Sequence, residues 1–165
     1  MDILKEYLDL CWFSNDPLEL PRSVSLFKKN FIIYFIIGYL MLTNMIDDPI
    51  EAFYEIVLQM VIMFGFIGFM LFLNKTLYAY VQIMTAFMLS ANVISIFLIP
   101  VMVWLTVSED LYSYYLFFTI LTWYFAIVAY IFKFSLVINV PASMVLALFY
   151  FIATFLSAFA LGQVL

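Results

Sequence analysis

The side chains able to do chemistry in this sequence are few and unevenly placed. Gln82, Thr85, Ser90, Asn92 and Ser95 fall within one long apolar stretch, and polar groups inside a bilayer are the first place to look for function. Thr85 and Asn92 stand a heptad apart, as do Met88 and Ser95, so at helical spacing they form a partly polar stripe facing a bundle interior or a partner. Two roles fit such a stripe. One is a hydrated path or ligand site; the other, and the commoner, is hydrogen bonding between helices at about 0.6 kcal/mol per pair.

Glu55 is the one carboxylate positioned to enter the hydrocarbon, and Glu51 precedes it by one helical turn on the same face. A proton or cation relay would use such a residue, which makes Glu51 and Glu55 a candidate cation entrance. The pair falls well short of the six to eight oxygens calcium takes, even with Asp47 and Asp48 nearby. The plainer expectation is an acidic helix N-terminus held in water by its loop. Trp123 and Tyr124 lie in the middle of another apolar stretch. Buried Trp and Tyr need hydrogen-bond partners, and Asn92 or Gln82 could supply one. An aromatic pocket for a flat apolar ligand such as a quinone is the sharp reading of Trp123; ordinary core packing is the bland one. Gln82, Thr85, Asn92 and Trp123 together form the candidate intramembrane polar cluster.

Other chemistries are excluded by composition. With no histidine and a single cysteine, the chain builds no His-based metal site, no Ser-His pair, no haem His ligand and no disulfide within itself. We therefore expect no enzyme, no metal and no cofactor. The net charge is −5, from 11 carboxylates against 6 basic residues, which argues against nucleic acid as a partner because phosphate neutralisation needs clustered Lys and Arg. Cys11 falls on the apolar face of a leader helix, where a buried inert thiol is the expectation and palmitoylation the alternative. Asn74-Lys75-Thr76 matches a glycosylation sequon, but lies on the side expected to face the cytoplasm.

The elements that must position these groups follow from hydropathy. The chain is 68% hydrophobic and 10% charged, with mean hydropathy +1.17, a composition outside the soluble globular range. It reads as an all-α polytopic membrane bundle. A bilayer core of about 30 Å needs roughly 20 apolar residues per helix, and five such stretches lie near 30–46, 52–73, 77–104, 110–132 and 140–162; a four-span arrangement follows if 77–104 or 140–162 is re-entrant. The cuts fall at Asp47-Asp48-Pro49, Asn74-Lys75, Ser108-Glu109-Asp110, and Lys133 with Asn139-Val140-Pro141. Asp48 is expected to cap the second span with Pro49 at its first position and Glu51 in a capping box, and Ser108 to cap the fourth. Pro100 should end or kink the third, which at full length exceeds the hydrocarbon thickness.

Lys5, Arg22, Lys28, Lys29, Lys75 and Lys133 all fall on one side of a five-span chain, and the two opposite loops carry only carboxylates. The positive-inside rule then predicts a cytoplasmic N-terminus and a C-terminus on the other side. Residues 1–26 form a polar, acidic leader unlike a cleavable signal peptide, and residues 27–165 the bundle. In the leader, Leu4, Tyr7, Leu8, Cys11 and Trp12 recur at helical spacing, which predicts an amphipathic helix of about three turns ended by Asn15-Asp16-Pro17 and held by apolar burial or by packing on the bundle. Small residues four apart, Ala86/Ser90, Ala91/Ser95, Ala153/Ser157 and Ala158/Gly162, permit close helix approach within the bundle or to a partner.

The segment Asn15-Asp-Pro-Leu-Glu-Leu-Pro-Arg-Ser23 ahead of a five-span chain of this length resembles the small bacterial inner-membrane proteins of the broad YIP type. That resemblance implies a short cytoplasmic leader opening onto a five-helix bundle; the eukaryotic relatives act as membrane adaptors for trafficking GTPases. The expectation is a non-enzymatic membrane subunit or scaffold surrounded by lipid and packed with a protein partner or with copies of itself. A small channel or transporter using the polar stripe, and a lipid- or quinone-binding protein, are the alternatives.

Overall fold

A computed structural model describes residues 3–44, 46–108, 110–156 and 160. Its elements in chain order are α1 (Ile3–Leu10), α2 (Val24–Thr43), α3 (Pro49–Leu73), a 3-10 turn (Leu77–Ala79), α4 (Tyr80–Val107), α5 (Leu111–Ser135) and α6 (Val140–Phe151), which runs into a π-helical turn (Ile152–Leu156). The protein is an all-α polytopic membrane bundle. Four segments, Val24–Thr43, Pro49–Leu73, Leu77–Val107 and Leu111–Ser135, are long and apolar enough to cross a membrane. The segment Val140–Leu156 is apolar but shorter, and most of the remainder of the expected fifth stretch lies outside the described residues.

The helix ends show why the chain is cut where it is. Asp48 accepts from the Ile50 amide at 2.8 Å with Pro49 inside the first turn of α3, as its sequence predicts. Asn139 accepts from the Ala142 amide at 3.0 Å and opens α6 in the same way. Two boundaries differ from the sequence reading. Ser23 caps α2, accepting from the Leu26 amide at 3.2 Å, so this helix begins before the hydrocarbon-like run and carries Lys28 and Lys29 within it. Asp110, not Ser108, caps α5, accepting from the Tyr112 amide at 3.4 Å. Ser108 instead ends α4, and its hydroxyl donates back to the Trp104 carbonyl at 3.3 Å. The neighbouring Glu109 lies outside the described residues. Nor does Pro100 end α4, which runs on for a further turn and more.

Three helices close with the same backbone turn. Thr76 donates to Leu71 at 2.9 Å, Ile138 to Lys133 at 3.1 Å and Ser14 to Asp9 at 3.2 Å, each a six-to-one closure with a left-handed residue before it. Those left-handed residues are Lys75 (φ 60°), Val137 (φ 53°) and Phe13 (φ 61°), where glycine would be the easy choice.

α4 is the axis of the bundle, packed against α5, α2 and α1, while α3 and α6 complete the wall. The Asn74 side-chain amide donates to the Ser135 carbonyl at 3.4 Å, which brings the C-terminal ends of α3 and α5, with Lys75 and Lys133 beside them, to one end of the molecule. The acidic loops before α3 and α5 occupy the other end. Lys133 sits in the last turn of α5, its ammonium 4.9 Å from the centre of the Phe134 ring.

The leader is part of the bundle. α1 is shorter than three turns, because the chain leaves the helix after Leu10 and turns through the left-handed Phe13. Tyr7, Leu10, Cys11 and Leu20 are buried in the same apolar core as Met84, Phe87, Met88, Ile127 and Ile131. The Cys11 thiol lies 3.8 Å from the Ser90 hydroxyl, about 15 Å along α4 from its first residue. Packing on helices, rather than attraction to a lipid surface, holds this acidic segment.

Candidate functional site

The residues of the polar stripe separate into two groups. Gln82 donates from its amide to the Leu20 carbonyl at 2.7 Å. Thr85 donates back to Val81 at 2.6 Å and meets the Tyr7 phenol. The Trp123 indole donates to the Cys11 carbonyl at 3.2 Å, so its partner is the leader backbone and neither Asn92 nor Gln82. Tyr130 adds a further bond, from its hydroxyl to the Phe13 carbonyl at 3.1 Å. Gln82 and Trp123, two of the four residues expected to form an intramembrane site, thus satisfy leader carbonyls that would otherwise be buried without partners, and Thr85 packs against the leader's Tyr7.

Asn92 belongs to a different place. Its amide nitrogen donates to the Asn30 backbone carbonyl at 3.3 Å and to the Asn30 side-chain oxygen at 3.2 Å, tying α4 to α2. Because the Asn30 carbonyl can only accept, and the Asn30 amide is itself donating to Leu26 at 3.0 Å, the Asn92 amide nitrogen must face Asn30. Its oxygen is left with no hydrogen-bond partner although it is buried.

Asn92 also lines a cavity of about 530 Å³ between α2, α3, α4, α5 and α6. The cavity occupies the half of the bundle near the acidic loops, and the leader occupies the other half. The boundary is sharp in sequence: Ser90 and Trp123 touch the leader, whereas Ala91, Asn92 and Tyr124 face the cavity. Most of the wall is apolar, with Ile56, Leu98, Met102, Phe117 and Leu121 contributing. The π turn after α6 places Phe155 in it alongside Phe151; such turns shift the side-chain register by widening the helix, and Thr154 reinforces it by donating back to Tyr150 at 2.7 Å.

Glu55 is in the same wall, 9% exposed, with Gln59 one turn further along α3 at 8%. The expectation that Glu55 is simply a solvated charge at a helix start is corrected here: one turn beyond Glu51 it has left the loop and faces the bundle interior. Glu51 stays at the rim, in the first turn of α3 and half-buried. Sequence reasoning singled out Glu55 and Asn92 separately; that they share one cavity, together with Gln59, Tyr34 and Ser95, was missed. Gln59, four residues after Glu55 in an otherwise apolar helix, was the available signal. Among the described residues no Lys or Arg lines the cavity, and no group of three His, Cys, Asp or Glu side chains could hold a metal ion.

A shallower depression of about 280 Å³ on the outer face of α5 and α6, formed by Phe118, Leu121, Thr122, Phe125 and Phe151, shares Leu121 and Phe151 with the cavity. Leu121 and Phe151 thus line both the cavity and this outer depression. No family model matches this chain, and neither a curated protein nor a solved structure does.

Proposed function

We propose that this is a non-enzymatic, membrane-embedded binding protein whose central cavity holds a lipid-soluble molecule. The carrying observation is the cavity: its volume lies within the range of small-molecule sites, and it combines a predominantly apolar wall with a few convergent polar groups. The shared Leu121 and Phe151 wall supports entry from the bilayer rather than from water. The protein stands with the Lys75 and Lys133 end, and the leader, toward the cytoplasm, and its C-terminus on the opposite side of a bacterial inner membrane. The YIP-type resemblance supports the same non-enzymatic class.

Native mass spectrometry of protein released from a neutral detergent tests this reading. The wild type is expected to retain a lipid-sized adduct, and Ser95→Phe, which fills the cavity from α4, to lose it. Equal retention, or none in either protein, rules the reading out.

The membrane-subunit reading keeps one specific support. On α3, Gly65 has open space where a side chain would stand, between the exposed Val61 and Phe69, and such a notch admits a second helix. By contrast, the Ala86/Ser90 pair of α4 is buried inside the chain with Ser90 against the leader, and the Ala91/Ser95 pair lines the cavity. If the Gly65 notch seats a partner helix, Gly65→Leu dissociates the complex in a crosslinking assay while leaving the monomer folded.

A further inference from the structure

The polar groups of the cavity are mismatched among themselves, and the mismatch has a sign. Glu55 offers two carboxylate oxygens, and the Asn92 side chain in the same wall has a buried oxygen with no donor. Ser95 has already committed its hydroxyl proton to the Ala91 carbonyl at 2.8 Å, so it too presents only lone pairs. Gln59 is adaptable and can turn its carbonyl inward. Among the described residues the wall holds no Lys or Arg to balance Glu55. A carboxylate in an apolar chamber is costly unless a cation or a set of donors meets it.

We infer that the cavity takes an amphiphilic amine: a ligand with an ammonium head and a hydrocarbon or aromatic body. The inference rests on the binding role proposed above and names the chemistry that role serves. The head donates hydrogen bonds to Glu55 and to the Gln59 carbonyl one turn along α3, and its charge offsets that of Glu55. The body lies along Leu98, Met102 and Phe151. An ammonium is suited to this because it carries three donors and no acceptor, whereas a carboxylate head would place like charge against Glu55 and an alcohol would supply one donor only.

The test compares three ligands of one chain length, dodecylamine, dodecanol and dodecanoate, added at neutral pH to the full-length protein in a neutral detergent, with binding read from the shift in thermal unfolding midpoint. Dodecylamine is expected to bind at least tenfold more tightly than the other two. Glu55→Gln, which keeps shape and removes charge, is expected to abolish that preference without weakening dodecanol, and Glu55→Asp to restore most of it. Equal binding of all three, tighter binding of the alcohol or acid, or an unchanged amine preference in Glu55→Gln overturns the inference while leaving a lipid-binding cavity in place. If none of the three binds, the binding role itself falls. The comparison among ligands on the wild type decides the matter even if a variant fails to fold.

Discussion

Asn92 on α4 and Asn30 on α2 meet through their side chains at 3.2 Å, and the layer they define divides the bundle into a half filled by the leader and a half left open as a cavity. An amide pair suits that position because apolar side chains alone distinguish poorly between helix registers in lipid, whereas a hydrogen bond between buried amides is satisfied in one register only.

Asn92→Leu is expected to destabilise the protein by about 1 kcal/mol, with Asn30→Leu costing a similar amount. A double-mutant cycle followed by equilibrium unfolding in mixed micelles should give a favourable coupling of about 0.6 kcal/mol. Simple additivity would show that the pair does not act as a unit.

Docking of the leader should weaken in alkali. Burial pushes the Tyr7 phenol from its usual value near 10 up to about 12, with the Thr85 hydroxyl partly offsetting this and Glu6 adding to it. A folded-state value above the unfolded one means that Tyr7's contribution is intact below pH about 10 and is lost as pH rises toward about 12. The protection of the leader amides relative to their intrinsic, base-catalysed exchange rates should fall across that window in the wild type, and Tyr7→Phe, which also removes the bond to the Pro21 carbonyl at 3.0 Å, should make that protection independent of pH.

Cys11 is the single cysteine of the chain and is fully buried, its thiol pushed up chiefly by that burial, with Ser90 opposing. A maleimide should therefore react slowly with the folded protein at neutral pH and fully after denaturation. Gln82→Leu removes the donor that holds the Leu20 carbonyl and should speed labelling several-fold by raising the population of undocked leader. Fast labelling of the wild type would mean that the leader is not seated against Ser90.

Val137 is a β-branched residue at φ 53° and is 80% exposed, so it bears backbone strain without a packing return. Val137→Gly should raise the unfolding free energy by about 1 kcal/mol, after allowing for the greater freedom of glycine in the unfolded chain. A loss of stability would assign the side chain a contact outside the bundle.

The sequence by itself determined the class of the protein and most of its helix ends. Hydropathy is additive along the chain, so apolar stretches separated by Asp48-Pro49, Lys75 and Asn139 could be read without knowing the packing, and the caps at Asp48 and Asn139 act within a few residues of themselves. Ser108 and Asp110 show the limit of that locality: both residue types cap helices, and the choice depended on where the preceding helix ended. The fate of the polar stripe was decided by tertiary structure alone. Gln82, Thr85, Asn92 and Trp123 look alike in sequence, as polar or amphipathic groups at helical positions. Whether each spends its hydrogen bonds on the leader or faces a cavity depends on how far a distant segment penetrates the bundle. Glu55 followed the same rule. Its charge and spacing were visible from the start, but only the packing of five helices around one space placed it in the same cavity wall as Asn92.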